Sequence, residues 1–349
     1  MKNNFDFLRL IFALFVVIAH SYPLSGLTVA ENWLTKLTSG QIEFSNLGLS
    51  GFFIISGFLI FQSLERSKTL VDYFWKRVLR LFPALLIVLL LTVILAPFVY
   101  EGLVPYLKNR NVYLYVPRNL SLFNLKYNID GVFENNPFPT AINGSLWTIC
   151  YEFSLYILLA LLFFVKNKKI KIFLIGIAFV GMFVTEVFSI NVIGSFGFYG
   201  LGSYYFLKLG TFFVGGALLA AIGIDKLNYK TGILVCLFLL ILISIYLGFY
   251  SNVKYIALTL FIILLGSQSF KPFNQLSKLG DFSYGIYIYS FPIQQTLMYY
   301  FKFNTLYLMF WSVLLSFFFG YLSWNIVEKR ALAYKNIFAN NLLKFNSYK

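Results

Sequence analysis

The sequence predicts an all-α fold, a polytopic membrane helical bundle of about ten transmembrane helices with both termini cytoplasmic, in a single domain over residues 1–349. Three observations predict it. Only 12% of the residues are charged, whereas 59% are hydrophobic and 21% aromatic; soluble domains carry about 25% charged residues. Apolar stretches near the ~20 residues that cross a bilayer recur along the whole length. Most of the 28 Lys and Arg fall in alternate connections, so the net charge of +15 reads as a positive-inside topology signal and excludes a nucleic-acid surface as its main cause.

The first span, Asn4–Tyr22, has the basic start and apolar core of a secretory signal. Asp6 and Arg9 interrupt it, and "AHSYPLSG" is a poor small-residue cleavage site, so it is expected to stay as the first helix. The second span is Asn46–Leu64. Next comes "ERSKTLVDYFWKRVLR", expected as an interfacial segment with Tyr73, Phe74 and Trp75 at headgroup level, leading to the third span, Leu79–Tyr100. The stretch from Glu101 to Gly144 is the longest outside the membrane and carries "NNPFPTAINGSLW", rich in Asn, Pro and aromatic residues, as suits a segment that covers a site or meets a polar acceptor. Ser145–Val165, Ile172–Ile190, Tyr204–Ile224, Thr231–Tyr250, Val253–Phe270, Gly280–Tyr300 and Leu306–Val327 follow.

An even count places both ends on one face. There lie Lys2, Arg9, the run from Arg66 to Arg80, "KNKKIK", Lys226, Lys230, Lys271, Lys278 and the C-terminal basic residues, which makes that face cytoplasmic and the chain a multi-pass protein of the cell inner (plasma) membrane, in contact with membrane lipid. Cys150 and Cys236 fall in different spans and paired metal ligands are absent, so no metal is expected.

An ionisable group inside a bilayer costs about 2.5–3.5 kcal/mol on insertion scales and needs a partner, a water cavity or a task. The candidates are Asp6, Arg9, His20, Glu152, Glu186 and Asp281, with Arg77 and Arg80 at the inner mouth of the third span. Arg9 and His20, the only histidine, are eleven positions apart. At 100° per residue they share one helix face, and at 1.5 Å per residue they are separated by about 16 Å, half the hydrocarbon thickness. Arg9 either snorkels to headgroups or binds an anion; His20 either caps the helix near Pro23 or does chemistry in the outer half. Arg77 and Arg80, spaced i,i+3, serve one anion or anchor the inner face. Glu152 lies five residues, about 7.5 Å, past Trp147, near the outer start of the fourth span. Beside an imidazole it would fix the tautomer and raise its basicity; otherwise it pairs with a lysine or a buried amide, and Glu186 has the same options with less support.

These residues sit in segments that resemble the acyltransferase 3 family of integral-membrane acyltransferases over nearly the whole chain. "FDFLRLIFALFVVIAH" is similar to the family's first helix, with Asp6, Arg9 and His20 at its functional positions. "GLSGFFIISGFLI" resembles the second helix with its Ser-Gly-Phe at Ser56 to Phe58, and "KRVLRLFPAL" the Arg-x-x-Arg at Arg77 and Arg80. "NGSLWTICYEFSLYIL" resembles the family's Ser-Leu-Trp followed by a glutamate, here Ser145, Trp147 and Glu152; "LGDFSYGIYIYSFPIQQ" and "WNIVEKR" match its late helices. Ser50 stands where many relatives carry an acidic residue, and Ser290 where many carry a second histidine.

The resemblance implies transfer of an acyl group, usually acetyl, from cytoplasmic acyl-CoA to a hydroxyl of an envelope or exported glycan such as O-antigen or capsule. It assigns acetyl-CoA as donor and co-substrate, Arg9, Arg77 and Arg80 to its phosphates, and His20 with Glu152 to catalysis. Asp6, Ser56, Ser145 and Trp147 become substrate or oxyanion candidates. Some relatives carry a fused extracytoplasmic SGNH domain; without one, this chain is expected to bind its acceptor directly. The rival expectation is a transporter or flippase of a glycan or lipid-linked sugar, with the same charges lining a path.

Overall fold

The computed structural model describes residues 3–139, 141–188, 197–276 and 279–338. Lys2, Thr140, Ile190, Lys278, Lys344 and Lys349, which enter the charge map or the predicted segments, lie outside the described residues. In chain order the helices are α1 Phe5–Leu24, α2 Trp33–Leu37, α3 Phe44–Arg66, α4 Leu70–Leu95, α5 Arg110–Leu120, α6 Trp147–Ala160 and α7 Lys168–Val187. After them come α8 Ser203–Ile222, α9 Lys230–Tyr246, α10 Tyr250–Gly266, α11 Lys271–Leu276, α12 Ser283–Phe301, α13 Thr305–Ser323 and α14 Lys329–Ala333. A π-helical turn, Trp324–Glu328, joins the last two. The strands among the described residues form one two-residue hairpin, Gly197–Phe198 against Leu201–Gly202.

Each of the ten predicted spans overlaps a helix, and seven helical runs are long and apolar enough to cross a membrane: Phe5–Leu24, Phe44–Arg66, Leu70–Val99, Trp147–Phe164, Lys168–Val187, Ser203–Ile222 and Thr305–Ala333. The other three overlaps are α9 and α10, apolar but of 17 residues each, and α12, whose 19 residues include many Tyr, Ser and Gln. The basic aromatic segment before the third predicted span continues into it as one helix. Thr69, in extended conformation, caps it by accepting the Asp72 N–H at 3.1 Å. Asp72 occupies the first turn, where the helix dipole favours a carboxylate, and no proline intervenes before Pro83.

The chain divides into two compact units, residues 1–23, 27–62 and 148–281 in the first and residues 24–26, 63–147 and 282–349 in the second. In the first, the buried Asn4 ties the start of α1 to the end of α10: its N–H donates to Gly266 O at 2.8 Å and its side chain receives the Phe270 N–H at 3.2 Å. The α3 and α8 backbones meet directly. A Cβ on Gly57 would lie 1.8 Å from Phe213 O, and one on Gly216 2.1 Å from Ile54 O. Such small-residue crossings are how membrane helices gain packing where lipid offers no hydrophobic drive. In the second unit α12 packs along α13, and α5, from the long outer stretch, packs on α4. That stretch is sutured to α12: Gln295 Nε2 donates to Phe138 O and Ala141 O, both at 2.7 Å, and Asn136 Nδ2 to Gln295 O at 2.9 Å.

Candidate active site

Seven of the sequence-predicted residues, Asp6, Arg9, His20, Ser56, Glu152, Glu186 and Asp281, belong to the first unit. Asp6 lies in the first turn of α1. Arg9 and His20 share α1, which runs unbroken from Phe5 to Leu24, so the expected common face and separation hold for a continuous helix. Arg9 Nη1 donates to Asp281 Oδ2, joining α1 to the chain just before α12, with side-chain exposures of 20% and 14%. Ser56 and Glu152 are brought together. Ser56 Oγ donates to Glu152 Oε1 at 2.8 Å, and Tyr156 Oη, one turn further along α6, donates to the same oxygen. The Ser56 and Tyr156 hydroxyls are themselves 3.1 Å apart. The close approach at Gly57 sets the position of α3 and with it the neighbouring Ser56. Glu186, the lesser alternative to Glu152, accepts from Tyr255 Oη at 2.7 Å.

Arg77, Arg80, Ser145 and Trp147 belong to the second unit. Arg77 Nη2 donates to Ser63 Oγ at 3.3 Å, and its guanidinium lies 5.6 Å from the Tyr73 ring centroid. Arg80 pairs with Glu328 at 3.3 Å and lies 5.8 and 5.9 Å from the rings of Tyr284 and Trp324. Guanidinium groups held over aromatic faces keep their charge in an apolar setting. Glu328 is 1% exposed, and Ser323 Oγ donates to its other oxygen at 3.1 Å.

Ser145 is 1% exposed and fixed through its backbone. Its N–H donates to Asn143 Oδ1 at 3.1 Å and its carbonyl accepts from Tyr287 Oη at 2.8 Å. Asn143 has a second bond, Nδ2 to Ile288 O at 2.8 Å. Pro292 explains it: a proline four residues after Ile288 offers no N–H, so the Ile288 carbonyl of α12 is left for a side chain to satisfy. Asn143 thereby holds Ser145 to the proline site of α12. Trp147 opens α6. Ser290, the departure from the second histidine, is fully buried and donates to Tyr287 O at 3.2 Å.

Sequence reasoning missed Tyr156, Asn143, Tyr287 and Glu328 as parts of this machinery. Two had a readable signal: Tyr156 is i+4 from Glu152 on one helix face, and Pro292 announced an unpaired carbonyl within a helix. Tyr287 and Glu328 lie in the late segments that carry the resemblance, but their partners, 142 and 248 positions away, could not be read from the sequence.

With this geometry in place, the sequence model of the family described as "Acyltransferase domain" matches residues 2–326. The chain is similar to the "O-acetyl transferase" of Shigella phage Sf6, 30% identical over 350 residues that cover 95% of this chain and 96% of that protein. It is also similar to "Nodulation protein 10" of Rhizobium leguminosarum bv. viciae, 29% identical over 200 residues, 52% of this chain and 50% of the relative. No solved structure matches it.

Proposed function

Because the chain belongs to the acyltransferase 3 family and is a membrane acyltransferase, we propose that it moves an acetyl group from cytoplasmic acetyl-CoA to a hydroxyl of a cell-envelope or exported glycan, in the inner membrane and with both termini cytoplasmic. The observation that carries this reading is the Glu152 carboxylate on α6, held by the hydroxyls of Ser56 and Tyr156, in the unit that also contains the only histidine. Similarity over nearly the full length to a protein named as an O-acetyl transferase supports acetyl as the acyl group.

In the proposed reaction, His20 takes the proton of the acceptor hydroxyl as its oxygen attacks the thioester carbonyl. The carbon–sulfur bond then breaks, and the CoA thiolate leaves with the proton that His20 returns. General-base help of this kind supplies about 10²–10⁴ in rate. Glu152 orients the imidazole. Asp6, Ser56, Ser145 and Trp147 are the substrate or oxyanion candidates. Arg9, Arg77 and Arg80 bind the CoA phosphates, a task that suits guanidinium forks.

Thermal unfolding of the detergent-purified protein with acetyl-CoA tests the donor. A ligand at about 100 times its dissociation constant stabilises by about 2.7 kcal/mol, and that gain is expected to shrink in Arg9→Ala, Arg77→Ala and Arg80→Lys. Lysine is used at 80 because it keeps a positive charge for the buried Glu328 while losing the fork. No stabilisation of folded wild type by acetyl-CoA, together with movement of an unmodified glycan across vesicles, would replace this reading with a transporter or flippase.

A further inference from the structure

The second unit contains a cavity of about 410 Å³ that none of the candidate catalytic or phosphate-binding residues lines. Its size falls in the range of small-molecule sites, roughly 300–1,000 Å³. Its buried walls include Val88, Ala96 and Val99 from α4 and its continuation, Val132 and Phe133 from the outer stretch, and Leu297 from α12. Other lining residues, Leu91, Leu95, Phe98, Tyr300 and Phe319, are exposed, so the cavity opens sideways beside α4, α12 and α13.

The lining offers a ligand little to hydrogen-bond. Thr92 Oγ1 donates to Val88 O at 2.8 Å, Thr296 Oγ1 to Pro292 O at 2.8 Å and Tyr300 Oη to Phe98 O at 3.0 Å, so three of its hydroxyls are spent within the protein. A cavity of this kind excludes water and takes hydrocarbon. Its rim is continuous with exposed apolar residues on the same membrane-spanning runs, Leu90 and Ile94 on α4 and Leu314 and Phe318 on α13. In a membrane protein those faces meet lipid tails, and a tail at the rim enters without crossing water or any polar group.

We propose that this cavity binds one acyl chain of a bilayer phospholipid, inserted sideways from the membrane. The chain fills a void that the surrounding side chains leave open, and it braces the outer stretch from within. Phe133 and Ile142 touch the cavity, and Ile142 is followed by Asn143, the residue that fixes Ser145. The site is distinct from the proposed acetyl transfer and does not depend on it.

Photo-cross-linking tests it. The full chain is reconstituted in phosphatidylethanolamine and phosphatidylglycerol vesicles containing a small fraction of phosphatidylethanolamine with a diazirine in its acyl chain, and adducts are mapped by peptide mass spectrometry. Adducts are expected on the cavity residues Ile293 and Leu315. They are expected to be lost in Ile293→Trp and reduced in Leu315→Phe, which fill the space, while adducts on the exposed Leu239 and Leu240 of α9 stay unchanged. In wild type, which needs no variant to fold, unlabelled phospholipid is expected to compete the cavity adducts away. Cavity adducts that persist in both variants, that merely match those on α9, or that yield to a polyprenyl phosphate and not to phospholipid would overturn the proposal.

Discussion

Two glutamates on long apolar helical runs, one in each unit, are satisfied in opposite ways. Glu328, 1% exposed, meets the Arg80 guanidinium and the Ser323 hydroxyl at the turn between α13 and α14. Glu152 meets two neutral hydroxyls, Ser56 and Tyr156. An ion pair neutralises its carboxylate and fixes two elements together, so its removal leaves an opposite charge stranded. Hydroxyls hold a carboxylate in place without cancelling its charge, which suits the orienting role proposed for Glu152. A polar group inside a membrane protein is thus classified by its partners. Glu328 has the partners of an architectural group, and Glu152 has partners compatible with the chemistry proposed for it.

The largest effect is expected at Glu152. Glu152→Gln should lower acetyl transfer by about 10²–10⁴ while thermal unfolding stays near that of wild type, since the amide oxygen still accepts from Ser56 and Tyr156. A variant that unfolded early and kept its specific activity would make Glu152 structural. Glu328→Ala should do the reverse, destabilising by about 3–5 kcal/mol in a denaturation series because Arg80 loses its buried partner. The double variant Arg80→Met, Glu328→Leu is expected to recover most of that stability, and failure to recover it would show that the pair is not the cause.

Tyr156→Phe removes one hydroxyl donor to the Glu152 carboxylate, a bond to a charged group worth about 1.5–3 kcal/mol, and is expected to show as a modest loss of activity with Ser56 still holding the carboxylate. A collapse of activity in Tyr156→Phe would move the phenol into the reaction itself. Asp281→Asn is expected to cost least, about 1 kcal/mol, because the Arg9–Asp281 pair is partly exposed and water screens the loss. An effect as large as that of Glu328→Ala would mean that this pair is desolvated when the membrane is present.

Much of the candidate site was legible in the sequence. A carboxylate in an apolar span is conspicuous because the bilayer penalises it, and the eleven-residue spacing of Arg9 and His20 follows from helix geometry. The depth of Glu152 in its helix was readable; that Ser56 would meet it was not, since the two are 96 positions apart. Arg77 and Arg80 were visible as a pair, yet their different surroundings, Ser63 and Tyr73 for one and Glu328, Tyr284 and Trp324 for the other, come from helices whose rotation the sequence does not state. The outer stretch was read only as the longest segment outside the membrane, rich in Asn, Pro and aromatic residues. It holds a helix, α5, and one of its ties to α12, from Asn143, goes to a carbonyl freed by Pro292.

By itself the sequence determined that the chain enters a bilayer, where its helices fall and which ionisable groups needed an explanation, because span length, hydropathy and charge act locally along the chain. The tertiary structure alone decided which partner each of those groups received. Partners are chosen where helix faces meet, at crossings such as Gly57 on Phe213 and Gly216 on Ile54, and small residues become informative only once the opposing backbone is known.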